Sequence, residues 1–536
     1  MHSKKIGITL IVMIMLVSFF SGCIFDDVFS DDGTTFSLKS WGISDDEGFP
    51  SIVISFSCSD RVTLSLYDPS SSLVDSGFFL NGNDDAVLHL SSYEDSIDGG
   101  TYSLKVYDKI NSKISTKTFL IDGPSLDILS CNQRWWKQDV DSYCLLGLEM
   151  FVRNSGDTPV YPSIVELSLG VDVIGGVVLP CVILPGESEK VYCFVYNESV
   201  SGENNFTVSL LDRYGNVIGS GSFSFKIVNN IAVRDFSWRY KYKNYEVEVP
   251  FIDFLYSYYI DVDRFSHGDY SVYVFDQIDD EYIGIISDII MSGFTSMRDT
   301  DRINYAVSFV QNLVYREDSD VNDSYEYARY PVETLFNNNT GGGDCEDKAI
   351  FTASLLYYLG YDVALLRLPD HMAVGVSLDE DALPGRDYFV DDYYFLETTS
   401  KGHEVGYIPD EWESPSELTV YPISSRPLLI HNWKNNTLTY YTQTSVGDFA
   451  KVKIFIENLG LETAEDVLVE GFFFTEGGGE YNVEQVVISS IEPGMKESVT
   501  LMVDIPQGVT TRFKTQVFLD GELADTPKES ARPFFL

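Results

Sequence analysis

The chain has 536 residues, with 82 acidic against 36 basic side chains, a formal net charge of −46 and seven cysteines. That length is more than one hydrophobic core organises, so a multidomain protein is expected. The excess of carboxylates repels phosphate backbones and anionic headgroups, which argues against a nucleic-acid partner and is otherwise the ordinary signature of solubility.

The first segment is a targeting signal. Lys4 and Lys5 precede an apolar run over residues 6–20, then Ser21-Gly22-Cys23 and an acidic stretch over residues 24–35. The apolar run is short for a membrane span, and small residues before a cysteine resemble the cleavage site of a lipoprotein signal peptide over residues 1–23. This resemblance implies lipid on Cys23; an uncleaved N-terminal membrane anchor is the other reading. Either puts the rest of the chain on the extracellular face of the membrane, held at one end. Sequons at Asn197, Asn205, Asn322, Asn338 and Asn435 agree with export.

Residues 36–123 alternate polar and apolar positions in short runs such as Ser51-Ile52-Val53-Ile54-Ser55-Phe56, separated by turn-forming clusters. Short strands at that spacing predict a β-sandwich. Residues 124–228 and 426–536 then share an order of features. Each has an alternating strand that ends in Asn-x-Gly (Asn154-Ser155-Gly156; Asn458-Leu459-Gly460) and a later Pro-Gly turn (Pro185-Gly186; Pro493-Gly494) that leads into another strand. The two segments resemble the immunoglobulin-like modules called CARDB, cell-adhesion-related domains of prokaryotic surface proteins, which usually space, orient or bind. Cys131, Cys144, Cys181 and Cys193 fall within the first of them and allow three disulfide connectivities. Pairs 131–144 and 181–193, each bracketing a short apparent hairpin, are the favoured expectation.

Residues 229–425 change character. Ile303, Ala306, Val307, Val310 and Val314 fall on one helical face, and a second helix is predicted over residues 346–359, ended by Gly360. Strands are expected over residues 363–368, 371–378 and 393–398, so this segment reads as α+β. Gly341-Gly342-Gly343-Asp344-Cys345 puts a cysteine where a glycine-rich loop enters a helix. Backbone N–H groups and the positive end of the helix dipole there lower a thiol pKa and can hold an oxyanion. The alternative is a buried free cysteine, which more often sits within an apolar run. His371 opens a strand after the turn Pro369-Asp370 and is the candidate base, with His403 in a loop as runner-up. Glu397, at a strand end, can fix the imidazole tautomer; Asp391 and Asp392 are rivals that read as turn carboxylates.

Gly-Asp-Cys-x-Asp at a helix start, His-x-Ala-Val at a strand start and Leu-Glu-Thr-Thr at the next strand resemble the transglutaminase-like superfamily over residues 300–410. Tyr330-Pro331-Val332-Glu333 upstream is similar to the bacterial transglutaminase-like cysteine proteinases. The resemblance implies a papain-like, transglutaminase-type α+β core flanked by all-β immunoglobulin-like sandwiches. It also implies Cys345 as nucleophile, His371 as base and Glu397 as orienting acid, although Asp is commoner at that last position. Such a site cleaves or transfers peptide or isopeptide amides through a Cys thioester and takes a protein or peptide substrate. The expected oxyanion donors are the Cys345 N–H and either Gln311 or Tyr315. No cofactor is expected. Some relatives bind calcium beside the cysteine, which makes Asp344, Glu346 and Asp347 candidate ligands. Asp318-Ser319-Asp320 imitates the start of a calcium loop, but Asp323 stands in place of its glycine and Arg329 in place of its closing acid. The rival expectation is a catalytically inactive adhesion protein that uses the same folds for recognition.

Overall fold

The computed structural model describes residues 28–29 and 33–536, apart from 81, 139–141, 170–171, 198–204, 263, 265–268, 275, 319–326, 425, 434–437 and 445–446. The predicted signal peptide, Cys23, most of the acidic linker, the middle of the calcium-loop imitation and the sequons at Asn322 and Asn435 lie outside the described residues. No helix among the described residues is long and apolar enough to cross a membrane.

The molecule is multidomain and predominantly β. In the first sandwich, Phe49–Cys58 lies between Thr35–Asp46 and Gly82–His89, facing a second sheet of Leu73–Phe79, Val62–Tyr67, Gly100–Asp108 and Lys113–Ile121. Alternation sets most of its interior: Ile52, Ile54, Phe56, Leu64, Leu66, Leu104 and Val106 are buried together, and Ser51 and Ser65 beside them are buried as well. In the second unit, strands from Leu126–Lys137 to Val217–Ser224 close into a barrel, and a parallel bridge between Gly219 and Leu126 joins the ends. The last unit is again two facing sheets around Val452, Ile454, Val469, Phe473 and Phe513.

The repeat read from Asn-x-Gly and Pro-Gly has one geometry in both copies. Asn154 donates through Nδ2 to Thr158 O at 2.7 Å and Ile183 O at 2.8 Å, and accepts from Gly156 N at 3.0 Å. Asn458 repeats this with Glu462 O at 2.7 Å, Ile491 O at 2.9 Å and Gly460 N at 3.0 Å. The Pro-Gly turn closes each clasp, Gly186 N reaching Asn154 O at 3.0 Å and Gly494 N reaching Asn458 O at 2.8 Å. A buried asparagine with all its groups engaged ties three chain segments at the end of each sandwich.

The expected disulfides are not formed. Cys131, Cys144, Cys181 and Cys193 are all free thiols. Strand geometry explains the first pair: Cys131 lies opposite Met150 and Cys144 opposite Trp136, so they sit at different heights of one hairpin. Cys131 packs into the barrel interior and Cys144 into the neighbouring core, so their side chains also face opposite ways. Cys181 and Cys193 share the barrel interior without a bond.

Between the second and last units come the hairpin Ala232–Tyr240 and Lys243–Phe251, then helices α1 (Asp253–Asp261), α2 (Asp280–Met291), α3 (Asp299–Asn312), α4 (Pro331–Phe336) and α5 (Cys345–Tyr358). An antiparallel sheet follows in the order Tyr393–Leu396, His371–Ser377, Val363–Leu368, Thr419–Pro422. Helix α5 is buried almost along its length among α2, α3, α4 and the strand His371–Ser377. Its core does not stop at the expected border near residue 228, because Trp136, Cys144, Leu146, Leu179 and Phe194 of the barrel belong to it. The first sandwich also touches both later ones: Tyr161 Oη donates to Asp45 at 2.8 Å, and Lys453 Nζ to Asp46 at 2.7 Å.

Candidate active site

The Cys345 position is built by backbone pairing that only glycines allow. Val314 and Tyr315, directly after α3, pair in parallel with Gly342 and Gly343. Gly342 has φ +138, and a Cβ there would stand 2.1 Å from Val314 O; one on Gly343 would stand 2.2 Å from the Asp347 carboxylate. The loop therefore presses against both the α3 exit and the first turn of α5, and Cys345 opens that helix half-buried.

The structure bonds His371 to Glu397 and sets Cys345 against the residue that follows His371. His371 begins the strand packed on α5, and the amide of Met372, the next residue, faces the Cys345 thiol. His371 Nε2 meets Glu397 Oε2 at 2.9 Å, which leaves Nδ1 as the ring's other nitrogen. Glu397 is itself fixed: its Oε1 accepts from Thr399 N at 2.8 Å, from Ser400 N at 3.1 Å and from the Thr399 hydroxyl. Burial alone would raise this carboxyl, yet the bonds from His371 and Thr399 outweigh it and hold Glu397 down at about 2. The ring of Trp412 lies parallel to that of His371, centroids 5.2 Å apart at 9°.

The thiol differs from expectation. Among the described residues its side-chain hydrogen bond is with Glu346 Oε2, at 3.2 Å, and not with His371. Burial first, and then the Glu346 and Asp344 carboxylates, push the Cys345 pKa well above the ordinary thiol range rather than below it. The helix N-terminus is present, but three carboxylates in and before its first turn, Asp344, Glu346 and Asp347, already draw on its positive end. Asp344 is pushed up to about 8, by burial and then by Glu346.

Gln311 is not a free oxyanion donor. It is buried, and its Nε2 donates to Glu397 O and His403 O, both at 2.9 Å, while its Oε1 accepts from Gly402 N at 3.0 Å. It anchors the chain on which Glu397 stands. Tyr315 is half exposed and within electrostatic reach of the thiol; burial and then the Cys345 charge raise its hydroxyl to about 12, so at neutral pH it carries a proton to donate. His403 tilts against Tyr407, and Asp391 and Asp392 lie in an exposed turn.

Asp318, Asp344 and Asp347 each offer a carboxylate oxygen within 4.8 Å of the others. Glu346 is not one of that group. These residues do not fit a calcium ion as arranged, because the buried Arg329 guanidinium stands among them. Its Nη1 lies 3.0 Å from Asp318 Oδ1 as an ion pair and contacts Asp347, and its backbone N donates to Asp347 Oδ1 at 2.7 Å. The guanidinium supplies the cation these carboxylates need. Buried Lys348, one turn after the cysteine, donates to Leu313 O at 2.8 Å and ties α5 to the end of α3.

Sequence reasoning missed Glu346 as the thiol's partner, Trp412 as the ring cover and Arg329 as the counter-charge. Arg329 carried a readable signal, a lone base directly before Tyr330-Pro331 in an acidic stretch. Trp412 ends a single 3-10 turn, Asp410–Trp412, and carried none.

No family model matches the chain, and no curated protein does. Among solved structures, red sea bream transglutaminase aligns at 11% identity over 72% of this chain and 79% of its own, with a TM-score of 0.21. The Amycolatopsis orientalis exo-chitosanase CsxA aligns at 9% identity over 93% and 76%, TM-score 0.16. A β-glucuronidase from glycoside hydrolase family 2 aligns at 9% over 94% and 76%, TM-score 0.17. Scores this low carry no argument about fold or activity.

Proposed function

We propose that the chain is a surface-anchored, transglutaminase-like cysteine enzyme with a papain-like core, acting on peptide or isopeptide amides, more as a hydrolase than as a cross-linker. One observation carries this reading: a His371–Glu397 pair, 2.9 Å between Nε2 and Oε2, directly precedes Met372, whose amide faces the thiol of a cysteine at the start of a buried helix. In the reaction, His371 Nδ1 takes the Cys345 proton and the sulfur bonds the amide carbon. The oxyanion meets the Cys345 N–H and the Tyr315 hydroxyl. The C–N bond then breaks as the imidazolium protonates the departing amine, leaving a thioester. Water activated by the neutral imidazole adds to that carbon, the C–S bond breaks, and acid and thiol are released. The sandwiches hold the catalytic unit away from a membrane to which the N-terminus is tethered, and the substrate is a protein or peptide.

A second reading has one observation in its favour: the thiol rests hydrogen-bonded to Glu346 rather than to His371, as in a site retained for recognition only. A thiol-reactive amide-mimic probe separates the two. Under the enzyme reading it labels Cys345, His371→Ala suppresses labelling, and the far-UV spectrum is unchanged. Equal labelling of both proteins supports the adhesion reading. Supplying a glutamine peptide with a primary amine then distinguishes release of free acid from amine incorporation.

A further inference from the structure

The hairpin of Ala232–Tyr240 and Lys243–Phe251 closes in a two-residue turn, because Tyr240 pairs with Lys243 and leaves Lys241 and Tyr242 at the tip. Trp238 and Tyr240 face the core, so Arg239 between them faces outward, and Lys241, Tyr242 and Lys243 are exposed beyond it. Tyr242 is 96% exposed. The loop before α3 comes to the same place: Lys241 Nζ and Arg298 Nη2 both pair with Asp301, at 3.3 and 2.6 Å, and Met297 beside Arg298 is 89% exposed. Two loops far apart in sequence thus set four cations around a bare tyrosine and a bare methionine. On a chain of 82 acids and 36 bases, residues 236–245 carry three bases and no acid. The acids of other elements that reach this surface are Asp301, which Ser296 also bonds, Asp299, which accepts from the Tyr361 hydroxyl at 3.0 Å, and Glu404.

The patch and the thiol lie at opposite ends of the helical unit. Helix α3 begins directly after Arg298, and Tyr361, which bonds its first residue, follows the end of α5. Past the far end of α3, Val314 and Tyr315 pair with the glycines that lead into Cys345. The two helices are therefore antiparallel, and the 14 residues of α3 put about 20 Å between patch and thiol.

We propose that the hairpin tip and the Met297–Arg298 loop rest on the surface of an anionic bilayer and turn the thiol outward. Tyrosine and methionine seat at the level of the headgroups, and the basic side chains around them meet lipid phosphates. The acidic remainder of the surface is repelled by the same bilayer, which favours approach by this face. A soluble acidic polymer would engage the cations but gain nothing from Tyr242 and Met297, so the bilayer is the occupant that uses the whole patch. The inference rests on the membrane tether proposed above and not on the chemistry of Cys345.

The test reconstitutes the full chain carrying Tyr242→Trp into vesicles of phosphatidylglycerol and phosphatidylcholine and subtracts the emission of the parent chain. Emission of the new indole is expected to move to shorter wavelength and to be quenched by brominated lipid, with neither change on phosphatidylcholine alone. Adding Arg239→Gln/Lys243→Gln should lower the ratio of seated to lifted protein, read from the quenching, about 30-fold, the loss for two surface cations. A chain that floats with anionic vesicles while its indole stays unquenched overturns the proposal and leaves the tether standing; one that does not float at all overturns both. Equal quenching on neutral vesicles, or an unchanged ratio in the double variant, removes the role of the cations and overturns it. So does a shift produced by soluble polyglutamate that vesicles do not compete away, which makes the occupant an acidic protein.

Discussion

Glu346 touches the one group on which the proposed chemistry depends. Its carboxylate accepts from the thiol at 3.2 Å and, after burial, contributes most to raising the thiol pKa. Glu346→Gln keeps the shape and removes the charge, so thiolate should form at lower pH. The rate of iodoacetamide alkylation near pH 7 is expected to rise about tenfold, one pKa unit's worth; an unchanged rate would mean that Glu346 does not control the thiol. Glu397 works in the opposite sense. Its folded pKa of about 2 lies below the unfolded value of 4.5, so its stabilisation is complete above pH 4.5 and is lost as pH falls toward 2. That shift corresponds to at most about 3 kcal/mol. Urea midpoints of the parent chain and Glu397→Gln should differ near pH 6, with the gap falling to less than half by pH 3 and closing near pH 2. A gap that persists at the acid end would place the contribution in packing, not in the ionised carboxylate.

At the scale of elements, the first turn of α5 is held by one buried ion pair. Asp347 accepts from Arg329 N and, at 3.3 Å, from Asp344 N, so a single carboxylate joins the loop before α4, the glycine loop and the helix start. Asp347→Asn leaves the Arg329 guanidinium facing only Asp318 and Asp344 and should cost about 3–5 kcal/mol in urea unfolding. A loss below about 1 kcal/mol would mean that Asp318 takes over the charge. These same elements mark how far the sequence could be read. Helix α5 was expected over residues 346–359 and runs Cys345–Tyr358, because an apolar stripe and a glycine stop are local properties. The strands after it follow from alternation in the same way, with His371 opening one and Glu397 directly following another. The bond from Cys345 to Glu346 was not legible, since nothing in sequence order tells whether a thiol faces its neighbour or a distant imidazole. Nor was the state of the barrel cysteines: each pair brackets a short segment, and only the strand register reveals that Cys131 and Cys144 face apart.

At the scale of the whole molecule, the sequence suggested separable units, and the packing joins two of them. Phe194 stacks edge-on against Tyr282 with centroids 5.8 Å apart, and Tyr192 lies flat against Phe254 at 5.3 Å. A Cβ on Gly147 of the barrel would meet the Phe254 ring at 2.8 Å, so the surfaces are fitted closely. Trp136, Cys144, Leu146, Leu179 and Phe194 are all buried in the helical unit's cluster, and removing the barrel would expose the apolar face they cover. Each large side chain so exposed forgoes about 1.5–3 kcal/mol of burial, and several together match the total stability of an ordinary domain. A fragment of residues 229–425 is therefore expected to bind a hydrophobic dye and to unfold without a sharp transition, whereas residues 124–425 should unfold cooperatively in one step. The converse result would show that the helical unit is stable without its neighbour. In that case the barrel would act only as a spacer, and Cys345 would owe none of its burial to it.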